Sequence, residues 1–163
     1  MKIRTGFVSN SSSSSFIIAL DKKPKSADEL KKMLWEDDKY VGDDYDTIST
    51  DVASEFIFNM LKNTKAIKGM KQMLKIPGSL EGRPNFFDYR TDEKIGSPEF
   101  KRIFQRYLDD TTCFKEKVFQ KFLDKNESRV LYSLEFSDDT LTGSILEHGG
   151  VFDYIPYIRL SNH

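Results

Sequence analysis

The segment Gly6-Phe7-Val8-Ser9-Asn10-Ser11-Ser12-Ser13-Ser14-Ser15-Phe16-Ile17-Ile18-Ala19-Leu20 sets five serines between two apolar groups near the start of the chain. A serine tract in a loose tail buries too little apolar surface to offset the entropy of ordering it. Here Phe7 and Val8 stand on one side and β-forming residues on the other, which predicts that the serines belong to the folded domain. Residues 16–20 are continuously apolar, as a strand buried on both faces would be, and Asp21-Lys22-Lys23-Pro24 ends the run. Such a strand needs partners, and they are expected from the far end of the chain. Residues 130–136 are rich in β-formers, Ser137-Asp138-Asp139-Thr140 is a turn candidate, and residues 141–147 can return as a second strand closed by Gly149-Gly150. Residues 152–163, aromatic and apolar around Pro156, are expected to pack onto the domain.

The middle of the chain reads as helix. Ser26 and Glu29 have capping-box spacing ahead of Leu30, Met33 and Leu34, predicting a helix over residues 27–35. Residues 36–46 are acidic and interrupted, as in a loop. Thr50 is a candidate cap for a second helix carrying Asp51 and Glu55 early, with Val52, Phe56, Ile57, Met60 and Leu61 on one face. The pattern carries on over residues 62–75 to Pro77-Gly78, although Gly69 weakens it. Residues 80–95 read as a loop pinned by Phe86, Phe87 and Tyr89. Ser97-Pro98 opens a long helix, or two in succession, reaching about residue 124. The expectation is therefore a single α+β domain over residues 1–163, in which three to five helices pack on a small antiparallel sheet built from the N-terminal strand and a C-terminal hairpin.

Composition narrows function more by exclusion. A length of 163 residues suits one domain with a proper core, and thirteen phenylalanines need burial. A formal net charge of −1 argues against a wholesale nucleic-acid coat, leaving nucleic acid a disfavoured partner limited to a local patch. The single cysteine, Cys113, excludes an intrachain disulfide and a four-cysteine zinc site, which fits a reducing cytosol. No apolar leader or eighteen-residue apolar window is seen, so neither a signal peptide nor a membrane partner is expected, and the chain reads as soluble and cytoplasmic. No cofactor motif or standard metal-ligand spacing appears, and no complete catalytic set, so the sequence leaves enzymatic activity undecided.

Charge is segregated along the chain. Residues 36–55 hold eight carboxylates against Lys39, a balance of −7, whereas residues 56–83 hold six Lys or Arg against Glu81, a balance of +5. Trp35, Tyr40 and Tyr45 among Asp43, Asp44 and Asp46 have the chemistry of a partner-binding surface. Lys62, Lys65, Lys68 and Lys71 recur every three residues and, on one helix, would form a slowly drifting basic face, either simply solvated or able to meet phosphate or an acidic partner.

The serines have three readings: a polar loop or edge strand satisfying local backbone groups, an anion-binding loop near Lys2 and Arg4, or a handle for modification or processing. The two histidines, His148 and His163, both lie near the C-terminus. A ligand or metal site, or an enzyme's site, assembled where the two ends meet would draw on Ser11, Ser12, Ser13, Ser14, Ser15, Glu147, His148 and His163, but on a hairpin the acidic turn and Glu147 would not converge. Cys113 is expected to be a buried small hydrophobe. Asp88, Asp92 and Glu93 around Arg90 read as a solvated loop surface.

The opening Met1-Lys2-Ile3-Arg4-Thr5 with the Gly6-to-Phe16 segment resembles the N-terminus of a group of small proteins from bacteriophages and some bacteria. Glu135-Phe136-Ser137-Asp138, Leu146-Glu147-His148-Gly149 and Ile158-to-His163 are similar to the C-terminal ends of such proteins. The resemblance covers about a third of the chain. It implies a phage or mobile-element origin and ends that form one unit, and it supplies no activity. The resulting expectation is a small accessory protein that binds a host or phage protein through charged and aromatic surface; the alternative is the ligand site between the ends.

Overall fold

The fold is taken from a computed structural model that describes residues 13–42, 46–89, 92–137, 139–148 and 150–162. The N-terminal strand β1 (Ser13–Leu20) is the middle of a three-stranded antiparallel sheet, with β4 (Val130–Ser137) on one side and β5 (Tyr157–Ser161) on the other. Phe16 lies opposite Leu134 and Arg159, and Ile18 opposite Tyr132 and Tyr157. Because side chains alternate across a strand, β1 serves two cores. Phe16, Ile18 and Leu20 face one helical layer, and Ile17 and Ala19 the other. The continuous apolar run is thus explained by burial on both faces, as its sequence predicts.

The first layer holds α1 (Ala27–Trp35), α2 (Thr50–Asn63) and α5 (Leu141–His148). The Ser26 hydroxyl accepts from the Glu29 N–H at 3.1 Å, while the Glu29 carboxylate reaches back to the Lys25 N–H, so α1 starts and ends where its pattern indicates. The cap of α2 is Ser49, whose hydroxyl accepts from the Val52 N–H. Thr50 instead starts the helix and donates its hydroxyl to the Asp38 carbonyl. Residues 36–46 are more than a loop: Tyr40–Gly42 (β2) pairs with Thr47–Ser49 (β3) in a separate small ribbon.

The second layer holds α3 (Met70–Met73) and α4 (Pro98–Lys125). The helix expected over residues 62–75 is broken, because Thr64 caps α2 in extended backbone and Ile67 then bridges to Leu131 beside β4. Ser79 likewise bridges Ser161 beyond β5. Both outer strands are thereby partly covered, which limits strand addition at the sheet edges. The chain from Pro98 to Lys125 is one unbroken helix, capped by Ser97 with Pro98 in its first turn.

The expected C-terminal hairpin does not form. Its first strand is present as β4, but the returning segment is α5, and the strand that completes the sheet is β5, across β1 from β4. The Thr140 hydroxyl accepts from the Gly143 N–H, turning the supposed hairpin corner into a helix start. A Cβ on Gly143 would lie 2.0 Å from the Ser137 carbonyl, so only glycine lets α5 fold back this tightly on β4. The α+β class, the helical middle and the sheet joining both ends of the chain stand.

Of the residues in α4, only Phe119 is fully buried, against Ile17, Ala19 and Leu160. Phe119→Ala should therefore destabilise the protein by about 3–5 kcal/mol in urea denaturation, whereas Phe104→Ala, in the exposed half of the same helix, should cost less than about 1 kcal/mol.

Candidate functional site

Ser14 lies on the Phe16 face of β1 and is fully buried. α5 places Glu147 directly over it, and the Ser14 hydroxyl donates to Glu147 Oε1 at 2.9 Å. Arg159 comes from β5, where it lies opposite Phe16, two residues from Ser161, the partner of Ser14. Its Nε donates to the same hydroxyl at 3.1 Å, its Nη2 lies 3.6 Å from Glu147 Oε1, and its guanidinium sits over the Phe16 ring at 5.7 Å. His148 Nε2 is 3.7 Å from Glu147 Oε2, with its ring partly exposed. Asn162 adds a second tie between the ends, donating from its backbone to the Ser13 carbonyl and from its side chain to the Ser13 hydroxyl at 2.8 Å.

Glu147 is a carboxylate removed from water, a situation costing several kcal/mol unless charge and hydrogen bonds compensate it. Ser14 and Arg159 supply that compensation from strands at opposite ends of the chain. Beside them is a small cavity of about 80 Å³, walled by Phe16, Phe152 and Tyr157 and edged by His148 and Arg159. Its size suits a few waters or a very small ligand.

Ser14, Glu147 and His148 do come together where the two ends meet, and what places Glu147 and His148 there is a helix at residues 141–148 instead of the expected hairpin strand. The described serines do not form an edge strand. Ser13, Ser14 and Ser15 begin the central strand, while Ser11, Ser12 and His163 lie outside the described residues. Arg159 is the member that sequence reasoning missed. Its only signal is a lone cation in an aromatic C-terminal segment.

The acidic surface is altered in membership. Trp35, expected as an exposed anchor, is 2% exposed and packs in the core, because it closes the inner face of α1. Tyr40 is 68% exposed and Asp46 lies on the surface, while Asp43, Asp44 and Tyr45 fall outside the described residues. Tyr154, not foreseen, joins this surface at 65% exposure. The Tyr154 hydroxyl donates a hydrogen bond to the Asp38 carboxylate, and with Glu36 and Asp153 nearby this holds the phenol above its ordinary pKa. Glu36, Asp38 and Asp153 thus gather around Tyr154, and Tyr40 is exposed two residues beyond Asp38.

The basic ladder is not a face. Lys62 ends α2, 4.7 Å from the Phe58 ring centroid and bonded to Asn59, Lys65 and Lys68 lie in the break, and Lys71 sits on the short α3. Cys113 is exposed on α4, so its expected burial does not hold. Among the described residues, no group of three His, Cys, Asp or Glu is placed to hold a metal ion, and no helix is long and apolar enough to cross a membrane.

The chain matches no protein-family model, no curated protein and no solved structure.

The hydrogen-bonded cluster makes a specific energetic claim. Ser14→Ala should cost about 1–3 kcal/mol by leaving a buried carboxylate short of a donor. In a double-mutant cycle with Glu147→Gln the two changes should couple by at least about 0.5 kcal/mol. Strictly additive losses in chemical denaturation would mean that the contact carries no energy.

Proposed function

We propose that this is a small phage-type accessory protein that works by binding a host or phage protein in the host cytoplasm. The observation carrying the reading is the exposed Tyr154, hydrogen-bonded to Asp38 with Glu36 and Asp153 close by, together with Tyr40, exposed two residues beyond Asp38 in the same acidic segment. Tyrosine buries a large, rigid area at low entropic cost and is enriched where interface energy concentrates. Surrounding carboxylates disfavour nucleic acid and favour a partner with a basic surface. The N-terminal resemblance supports the phage association. Tyr40→Ala combined with Asp37→Lys alters only exposed side chains, so the variant should melt as the parent does while its capture of a protein from host lysate falls at least about tenfold. Capture of the same proteins at the same level, or of none by the parent, overturns the reading.

A second reading is a small-ligand site at the junction of the ends. It is favoured by the meeting of Ser14, Glu147 and His148 beside the aromatic-walled cavity. If it holds, some member of a panel of small anions, amines and divalent cations should raise the melting temperature of the parent and not of His148→Ala. Identical shifts in both proteins would sink it.

A further inference from the structure

Outside β5 the chain builds a further cleft. Gly78, at a φ of +103°, lets the segment after α3 pass close to this strand: a Cβ there would lie 2.8 Å from that of Leu160 and 2.7 Å from the Asn162 side-chain oxygen. Lys115 of α4 fixes the turn by donating to the Ile76 and Gly78 carbonyls. Ser79 then exchanges both backbone hydrogen bonds with Ser161, at 2.7 and 2.9 Å, and Leu80 is anchored in the second core. The chain leaves this anchor through Glu81 and Arg83, and Arg83 Nη1 donates to the Tyr107 hydroxyl at 2.9 Å. The result is a cleft of about 450 Å³, walled by Ser79, Leu80, Glu81 and Arg83 from this segment and by Arg159 and Ser161 from β5. Such a volume is in the range of small-molecule sites.

The polar groups of the cleft carry both signs. Arg159 uses Nε for Ser14 and turns Nη2 toward Glu147, and Arg83 uses one nitrogen for Tyr107. A guanidinium has five N–H donors, so both side chains keep donors for a ligand. Ser161 lies two residues beyond Arg159 on the same face of β5. Its hydroxyl is buried and has no hydrogen-bond partner among the described residues, which costs about 1–3 kcal/mol while it stays unmet. Two guanidiniums and a spare hydroxyl suit a carboxylate, which takes paired N–H donors. Glu81, in the same wall, repels a multiply charged anion and attracts a cationic group. A molecule that carries both signs therefore matches the cleft better than a simple anion does.

We propose that this cleft binds a small zwitterion of the amino-acid class, with its carboxylate between Arg83 and Arg159 and its ammonium group at Glu81. The site is separate from the acidic tyrosine surface and from the junction cavity, although Arg159 edges both the cleft and that cavity. Inorganic phosphate would meet Glu81 with no cationic group of its own to offset the repulsion.

The experiment is saturation-transfer NMR on the full chain with the common free amino acids, followed by titration of the strongest binder. At least one should bind with a dissociation constant below about 1 mM. Arg83→Gln, at an exposed position, should weaken that binding at least about tenfold while melting as the parent does. The N-acetyl derivative of the same amino acid, which keeps the carboxylate and loses the ammonium group, tests Glu81. Glu81→Gln should weaken the free amino acid at least about tenfold and leave the N-acetyl derivative, already the weaker ligand of the parent, unaffected. Inorganic phosphate should compete at least about tenfold less well than the amino acid. Four results would each overturn the proposal: no amino acid binding, equal binding by the parent and Arg83→Gln, an N-acetyl derivative or phosphate as tight as the free amino acid, or binding that is lost in His148→Ala and kept in Arg83→Gln, which would put the ligand in the junction cavity.

Discussion

Enclosing β1 between β4 and β5 is the constraint on which the other elements depend. The strand's two faces belong to two separate cores, so both helical layers pack on a sheet that the two distant strands complete. Ile17 and Ile18 are both fully buried, each contributing on the order of 2–3 kcal/mol from area alone. The pairing joins residues more than a hundred positions apart, so the loop-closure entropy must be met before these contacts exist. A chain organised this way gains from polar contacts that tolerate only one register.

The Ser14–Glu147–Arg159 cluster is of that kind. An apolar neighbour would accept β5 displaced by two residues, since the same face would still meet the same core. The cluster would not, because a shifted Arg159 loses both its contact with Glu147 and its hydrogen bond to Ser14. Burying a charge is a poor route to net stability but a sharp penalty on misalignment. This also explains why a polar residue occupies the otherwise apolar inner face of a central strand. The serines at the start of β1 therefore have a role in fixing the register of the sheet, whatever else they do.

Sequence reading reached the parts of this fold governed by local rules. The capping box at Ser26, the proline at the first turn of α4 and the unbroken apolar run of β1 each have a short-range cause, and the structure follows them. Where tertiary contacts outrank local pattern, the reading fails. Residues 62–75 keep helical spacing, yet Ile67 gains a bridge to Leu131 that a helix would forbid. Residues 141–147 suit a strand by composition, yet the Thr140 hydroxyl caps a helix there instead. The acidic neighbours of Trp35 suggest a surface position, while helical spacing puts it on the inner stripe of α1 with Leu30 and Leu34. The candidate site was legible as a meeting of ends and not as a geometry, since Arg159 has no motif and is placed only by strand register.

The two halves of α4 differ in what orders them. Helices shorter than about 12–15 residues are marginal in water on propensity alone, and most helical stability comes from packing an apolar face. The C-terminal half has the sheet for that purpose. The N-terminal half has Phe86 and the Tyr89–Asp110 bond, plus continuity with the helix behind it. Such an element lies at the low end of the range of local opening energies. The aromatic contacts of Phe86 with Phe100, Phe104 and Tyr107 therefore do for this half what the sheet does for the other, holding the helix to the chain that precedes it rather than to the main core.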